Sequence, residues 1–250
     1  PGTGGGAAAR VTLHILSDEN IPAVEYFLGD SGVVRQLRGR DMRAADLDGV
    51  DVLLVRSVTR VNEALLAGSA VQFVGTATSG VDHIDRDYLD QQGIGFAHAP
   101  GSNANSVVEY VLAAIASVPG KLEQLLAGGS VGIVGYGHIG SKLAARLRAL
   151  GIEHRVYDPW LDQQLLSQPA SLAEILACDV VTLHPELTRE QPWPSFHLLD
   201  RDQLECIRKD ALLINASRGA VVNNLALLQH LDSGQGPSTV LDVWEGEPAI

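Results

Sequence analysis

The sequence has few cysteines, no long apolar run and a shortage of positive charge. Its two cysteines, Cys178 and Cys206, form no C-x-x-C pair and fall in predicted helices, which favours reduced thiols. No uninterrupted apolar stretch approaches the roughly 18 residues of a membrane helix. Acidic residues outnumber lysine and arginine by 30 to 18. The resulting net charge of −12 argues against a general nucleic-acid surface or an anionic membrane face.

The amino-terminal stretch also lacks the charged and apolar regions of a signal peptide. We therefore interpret residues 1–10 as a flexible leader and expect a soluble, cytoplasmic protein. The sequence predicts no metal site, no nucleic-acid partner and no membrane partner.

The sequence contains enough hydrophobic residues to form a substantial core. Hydrophobic residues make up 46% and charged residues 19% of the 250 residues, which suits one large or two modest domains. Short β-branched runs alternate with amphipathic stretches along the chain, as in parallel α/β domains. The fully apolar run 52–55, for example, suits a strand with helices over both faces.

A glycine-rich turn gives the clearest functional signal. An apolar run leads into Gly135, Gly137 and Gly140 at G-x-G-x-x-G spacing, and an amphipathic stretch follows. This strand, turn and helix order is the context of a dinucleotide site, where helix N–H groups face the pyrophosphate. Asp158 ends the next predicted strand, 18 residues past Gly140, near the position of the acid that binds the adenosine ribose. A carboxylate there repels a 2′-phosphate, which favours NAD over NADP.

The alternative is an ordinary βαβ turn with a solvated Asp158. On the dinucleotide interpretation, we predict an α/β protein with two Rossmann-like or flavodoxin-like parallel-sheet domains. A substrate domain covers 11–102, and an interdomain helix and linker, interrupted at Pro119, cover 103–129. A doubly wound NAD-binding domain, expected to be incomplete at its carboxyl terminus, covers 130–250.

Polar residues follow the predicted strands of both domains. In open α/β sheets ligands bind at the carboxyl ends of strands, so Ser57 and Thr78, with Arg56 and Arg60 nearby, are candidate substrate contacts. The alternative is that the two hydroxyls cap the following helices.

In the second domain, Arg218 follows a predicted strand, and its planar guanidinium suits a 2-oxo or 2-hydroxy carboxylate. Glu247 follows another strand and can orient a histidine base. The alternatives are an ion pair of Arg218 with Glu245 or Glu247, and a solvated turn carboxylate at Glu247.

Several segments resemble the D-isomer-specific 2-hydroxy-acid dehydrogenases, and in particular their erythronate-4-phosphate dehydrogenase branch. The glycine turn and N-A-S-R-G are general to the larger family, whereas D-E-N-I-P, R-S-V-T and G-T-A-T are specific to the branch. The matching segments are D-E-N-I-P (18–22), V-R-S-V-T-R-V-N (55–62), G-T-A-T-S-G-V-D-H-I-D (75–85), A-P-G-S-N-A-N-S-V-V-E-Y (99–110), N-A-S-R-G-A-V-V (215–222) and D-V-W-E-G-E-P (242–248).

The resemblance implies NAD-dependent oxidation of 4-phospho-D-erythronate in pyridoxal phosphate biosynthesis, by a homodimer in the full-length family. The resemblance also implies that Arg218 and Glu247 are catalytic residues and that Ser57 and Thr78 bind the substrate. Contacts with NAD are expected at Gly135, Gly137, His138, Ile139, Gly140, Asp158, Pro185, Ala216, Ser217 and Asp242.

The sequence departs from the family pattern in ways that limit this expectation. The family's histidine base lies in a P-H-I-A-G-Y type segment after D-V-W-E-G-E-P, and no such segment occurs up to Ile250. We therefore interpret the chain as truncated at its carboxyl terminus and expect it to bind NAD but to turn over poorly. Pro185 and Glu186 replace a small residue and a proline in a cofactor-facing loop. Ser102 and Asn223 replace a usual cysteine and aspartate. The competing hypotheses are a dehydrogenase for another 2-hydroxy acid, such as 3-phosphoglycerate, and a non-catalytic NAD-binding module.

Overall fold

A computed structural model describes residues 12–247. The predicted leader and Pro248 lie outside this range. Contacts between Cα atoms divide the chain into two compact units, Pro1–Ser102 and Asn103–Ile250. Each unit is described by itself below.

The first unit contains a five-stranded, wholly parallel sheet in the order β2-β1-β3-β4-β5. Its central strand β3 pairs with both β1 and β4, and the order reverses between β1 and β3. The strands are β1 (Leu13–Asp18), β2 (Gly32–Leu37), β3 (Val52–Val55), β4 (Phe73–Thr76) and β5 (Gly95–His98).

Short helices cover this sheet, and apolar side chains such as Leu16, Leu53 and Leu89 are fully buried beneath them. The predicted apolar strand is β3, although Val52 and Leu54 are only half-buried. The helices are α1 (Val24–Leu28), α2 (Glu63–Leu66) and α3 (Arg86–Gln92).

The second unit contains another parallel sheet, in the order β10-β9-β8-β6-β7. An isolated parallel bridge between Val156 and Pro169 adds one more position beyond β7. With that bridge, the order matches the doubly wound dinucleotide-binding arrangement, and it reverses between β6 and β8. The strands are β6 (Ser130–Val134), β7 (Glu153–Tyr157), β8 (Val180–Leu183), β9 (Leu212–Asn215) and β10 (Ser238–Leu241).

Helices pack on both faces of this sheet and form two apolar clusters. The predicted interdomain segment begins this unit, and its buried side chains Val111, Ile115 and Leu125 belong to one of the clusters. The helices are α4 (Ala104–Ser117), α5 (Lys121–Leu126), α6 (His138–Ala149), α7 (Leu172–Leu176), α8 (Arg201–Glu205) and α9 (Asn224–Asp232).

The predicted fold class is therefore confirmed, with some local corrections. The helix before Pro119 ends at Ser117, as the proline predicts, but α5 begins immediately afterwards and was not predicted. Cys178 and Cys206 are free thiols that lie just past the ends of α7 and α8, not within them. Among residues 12–247, no helix is long and apolar enough to cross a membrane.

Candidate cofactor and active site

The glycine turn after β6 is shaped by close backbone approach. Gly135 has φ +89°, which favours glycine, and its amide donates to the Tyr157 carbonyl at 2.8 Å. A Cβ on Gly140 would stand 1.9 Å from the Gly135 carbonyl oxygen, so only glycine lets α6 start here. A Cβ on Gly137 would meet nothing within 4 Å. The turn therefore leaves open space at the position where a pyrophosphate approaches the backbone.

The first turn of α6 faces this space with unpaired N–H groups. Gly137 is the N-cap and makes no side-chain capping bond, so His138, Ile139 and Gly140 begin the helix without a capping side chain. The helix has 12 residues. Its aligned peptide dipoles give its N-terminus a partial positive charge, which suits a phosphate.

Asp158 lies at the carboxyl end of β7 and is half-buried. Its Oδ2 accepts the Tyr136 amide at 2.8 Å, and its Oδ1 accepts the Trp160 amide at 3.1 Å. Asp158 is thus bonded to the glycine turn itself. An open cavity of about 640 Å³ lies next to it, with Tyr157, Pro159 and Trp193 among its walls. The glycine turn, the helix N-terminus and this carboxylate fit the phosphate and ribose parts of NAD.

His184 follows β8 and is buried beside the glycine turn. Its Nε2 lies 2.9 Å from Thr182 Oγ1, while its buried Nδ1 has no hydrogen-bond partner. Burial lowers the pKa of His184 to about 4, so the ring is neutral at physiological pH. A Cβ on Gly135 would stand 2.8 Å from the His184 carbonyl carbon, so the two loops touch. Pro185, the predicted cofactor contact, is half-buried, and Glu186 is exposed.

The loop after β9 holds Arg218 in a defined conformation. Asn215 Oδ1 accepts from both the amide and the hydroxyl of Ser217, at 3.1 and 2.8 Å. Asn215 Nδ2 donates to the Arg218 carbonyl at 3.0 Å. Ala216 and Ser217 are buried, whereas the Arg218 side chain is half-buried and donates to the Ser217 carbonyl. The side chain of Asn215 therefore fixes the backbone that presents Arg218.

The loop after β10 carries Asp242 and Glu247, both exposed. The Asp242 amide donates to the Asn215 carbonyl at 3.0 Å, so this loop starts beside the Arg218 loop. Burial, together with the charge of Asp242, raises the pKa of Tyr110. Glu247 Oε1 accepts the Trp244 amide at 3.0 Å. Glu247 is thus folded back on its own turn, at the same sheet edge as Arg218.

The predicted substrate contacts lie at the carboxyl edge of the first sheet. Ser57, Arg56 and Arg60 are exposed in the loop after β3. Thr78, after β4, is half-buried and bonds Thr76 Oγ1 at 2.7 Å and the Gly80 carbonyl at 2.8 Å.

The capping alternative for these hydroxyls is wrong. The N-caps of α2 and α3 are Asn62 and Asp85, whose side chains accept from the amides of Leu65 and Tyr88. Ser57 and Thr78 remain at the sheet edge as candidate substrate contacts.

Sequence reasoning missed one polar cluster in the second unit, formed by His197, Asn224 and Glu245. The sequence indicates Glu245 only as an alternative partner for Arg218, whereas in the structure its Oε1 lies 2.6 Å from His197 Nε2. These two residues are 48 positions apart and share no local pattern, so only the fold shows the contact. Among residues 12–247, no group of three or more potential metal ligands comes together.

Comparison with known proteins places the chain in a family. Residues 114–250 match the profile of the D-isomer specific 2-hydroxyacid dehydrogenase, NAD binding domain. The chain is 48% identical over 239 residues to the erythronate-4-phosphate dehydrogenase of Stutzerimonas stutzeri, covering 95% of this chain and 63% of that protein. It is also 48% identical over 244 residues to the enzyme of the same name from Salinibacter ruber, again over 95% of the chain and 62% of the relative. The chain thus spans less than two thirds of the length of these relatives.

Solved structures agree with this likeness. The D-lactate dehydrogenase from Aquifex aeolicus, complexed with NAD and lactic acid, superposes with a TM-score of 0.80 and 25% identity, covering 94% of this chain and 78% of that one. The NAD-dependent formate dehydrogenase from Staphylococcus aureus in complex with NAD gives a TM-score of 0.76 and 26% identity, covering 95% and 83%. With the profile matching more than half of its length, this chain belongs to the D-isomer specific 2-hydroxyacid dehydrogenases, and its second unit carries their NAD-binding domain.

Proposed function

We propose that the protein oxidises 4-phospho-D-erythronate at C2 to 2-oxo-3-hydroxy-4-phosphobutanoate, with NAD as the acceptor. The observation that carries this proposal is that the glycine turn, Arg218 and Glu247 follow β6, β9 and β10 of one parallel sheet. The carboxyl ends of parallel strands share one edge, so a cofactor on the turn and a carboxylate on Arg218 belong to the same site. The 48% identity to erythronate-4-phosphate dehydrogenases supports this substrate over other 2-hydroxy acids.

NAD, when bound, supplies the hydride acceptor at its nicotinamide. Arg218 binds the substrate carboxylate and polarises the C2 oxygen, a task that suits its planar pair of N–H donors. Glu247 orients a histidine that takes the proton from the C2 hydroxyl, and on the family resemblance we expect that histidine in a segment after Pro248. Ser57 and Thr78 are the substrate-binding residues that the proposal assigns to the first unit. We further propose that the protein acts in pyridoxal phosphate biosynthesis in the cytoplasm, as a homodimer.

The test compares phosphorylated 2-hydroxy acids. An extended protein, made by continuing this chain to the length of its relatives, should reduce NAD faster with 4-phospho-D-erythronate than with 3-phospho-D-glycerate, followed by NADH absorbance. Arg218→Lys should lower kcat/KM by at least about 10²-fold, because the bidentate contact is lost. Arg148→Lys, an exposed change on α6, is the matched control and should leave the rate unchanged.

Two outcomes would contradict the proposal. Faster oxidation of 3-phospho-D-glycerate would assign a different substrate, and NAD binding without oxidation of any 2-hydroxy acid would indicate a regulatory module.

A further inference from the structure

Glu245 is held at both its backbone and its side chain by one residue, Asn224. The Glu245 amide donates to Asn224 Oδ1 at 3.0 Å, and Glu245 Oε2 accepts the Asn224 amide at 3.3 Å. Asn224 is the first residue of the nine-residue helix α9, so the carboxylate also faces the positive end of that helix. The Asn224 side chain donates in turn to the Val222 carbonyl at 2.9 Å. The loop after β10 is therefore fastened to the segment that follows Arg218.

The second oxygen of Glu245 reaches a third loop. A carboxylate only accepts, so His197 Nε2 donates to Glu245 Oε1 across 2.6 Å. The His197 backbone has φ +50°, an uncommon conformation for a residue with a side chain, and its amide donates to the Ala220 carbonyl at 2.8 Å. The Phe196 ring stacks on the imidazole at 4.0 Å, and the Arg189 guanidinium lies 3.3 Å from the centre of the Phe196 ring.

The three residues His197, Asn224 and Glu245, here named the loop clamp, thus join the loops after β8, β9 and β10. These are the loops that carry Pro185, Arg218 and Glu247. The last two loops also touch directly, because a Cβ on Gly219 would stand 1.9 Å from the Trp244 carbonyl carbon. Arg218 is the residue before Gly219, and Glu247 is two residues after Glu245. Within the clamp, Glu245 lies two residues before Glu247, and Asn224 lies six residues after Arg218. The His197 amide also bonds the carbonyl of Ala220, two residues after Arg218.

We propose that Glu245 is a positioning residue, which through the loop clamp fixes the spacing between Arg218 and Glu247. The inference rests on the proposed function. Both catalytic side chains stand on loops, and an orientation error of about 1 Å costs on the order of 10²-fold in rate. Asn215 fixes the Arg218 backbone locally, whereas only the clamp, among the hydrogen bonds of residues 12–247 described above, ties the middle of the Glu247 turn to it.

The kinetic test uses a pair of substitutions in the extended protein. Glu245→Ala removes both side-chain bonds and should lower kcat about 10²-fold, with the KM for NAD and the melting temperature little changed. Glu245→Gln keeps an oxygen that accepts from His197 and should recover most of that loss. Glu205→Ala, an exposed acid in α8, is the matched control and should behave as the parent. A Glu245→Ala variant with parental kcat, or with a rate loss that only follows reduced melting temperature, would overturn the proposal.

A second measurement on the 250-residue chain does not need activity. In Glu245→Ala, amide hydrogen exchange should rise together in residues 242–247 and in residues 217–224, because the clamp couples them. A rise confined to 242–247, or no rise, would overturn the proposal. If the parent protein oxidises no 2-hydroxy acid, the proposed function fails, whereas the exchange result still decides whether the clamp couples the loops.

Discussion

The turn after the first strand of each sheet is built differently in the two units. In the first unit, β1 ends at Asp18, whose buried carboxylate accepts the Asn20 amide at 2.8 Å. In the second, β6 runs into Gly135, which has no side chain and a φ of +89°. Both turns lie beside the point where the strand order reverses, which is where open α/β sheets bind ligands.

This difference shows that the same topology does not provide the same site. A phosphate needs close approach to backbone N–H groups and a helix long enough to build a dipole. The turn of the second unit has a glycine without a side chain and is followed by the 12-residue α6. The turn of the first unit has a buried carboxylate and is followed by the five-residue α1. The charge at Asp18 repels a phosphate at the corresponding position. The NAD site therefore belongs to the second unit because of a few residues in one turn, not because of sheet order.

Two glycines of the turn after β6, Gly140 and Gly137, differ in the space that surrounds their Cα atoms. Gly140→Ala should destabilise the second unit by about 3 kcal/mol, because the new Cβ would stand 1.9 Å from the Gly135 carbonyl oxygen. That oxygen belongs to the backbone, so it can move away only if the turn is distorted. The helix propensity gained over glycine, about 1 kcal/mol, is too small to compensate. Urea unfolding without NAD measures the loss.

Gly137→Ala is the matched control for that experiment. Its Cβ meets nothing within 4 Å, so unfolding without NAD should change by less than about 0.5 kcal/mol. The dissociation constant for NAD, measured by calorimetry, should nevertheless rise about tenfold, since the methyl group occupies the space of the pyrophosphate. Unchanged affinity would show that phosphate does not approach the chain at this turn.

Acid should destabilise the second unit more than the first, because both buried histidines among the described residues, His154 and His184, lie in the second unit. Burial lowers the pKa of His184 from 6.5 to about 4. Below pH 6.5 His184 binds a proton in the unfolded chain but stays neutral in the native state. The free energy of unfolding therefore decreases as the pH falls toward 4. The full loss from this residue amounts to at most about 3 kcal/mol.

Unfolding free energies at pH 7 and pH 4.5 measure this loss. His184→Gln keeps a group that can bond Thr182 but does not titrate, so its stability should fall less between the two pH values than that of the parent. As the pH falls, amide protection against hydrogen exchange should also be lost in the second unit at a higher pH than in the first. Equal pH slopes for parent and variant would contradict the assignment of this loss to His184.

Local sequence patterns predicted most of the fold. The apolar runs that became β3 and β8, and the glycine spacing before α6, are patterns within a few residues, and the structure places strands and a helix there. The sequence does not predict helix α5, because Pro119 and Gly120 indicate only the end of a helix. In the structure Gly120, with φ +76°, is the N-cap of the next helix. A proline and a glycine predict where one helix ends, but they do not predict whether another helix begins after them.

The candidate site was predicted in its parts but not in its connections. Sequence alone placed Arg218 and Glu247 after strands, and order along the chain then implied one sheet edge. It did not predict the loop clamp, because the bond between His197 and Glu245 depends on how two loops 48 residues apart pack. Likewise, the burial that lowers the pKa of His184 depends on the glycine turn packed against it, which no local pattern reveals.

The smallest predicted effect tests whether the two units depend on each other. Asn62 Oδ1 accepts the Leu65 amide at 3.2 Å and caps α2 in the first unit. Asn62→Ala should cost about 1 kcal/mol of stability, measured by urea unfolding, whereas Asn62→Asp keeps the cap and should cost little. The NAD dissociation constant should stay unchanged, since every predicted NAD contact lies in the second unit. A weaker NAD affinity in Asn62→Ala alone would mean that the first unit contributes to the cofactor site, and the contrast between the two turns would then explain only part of NAD binding.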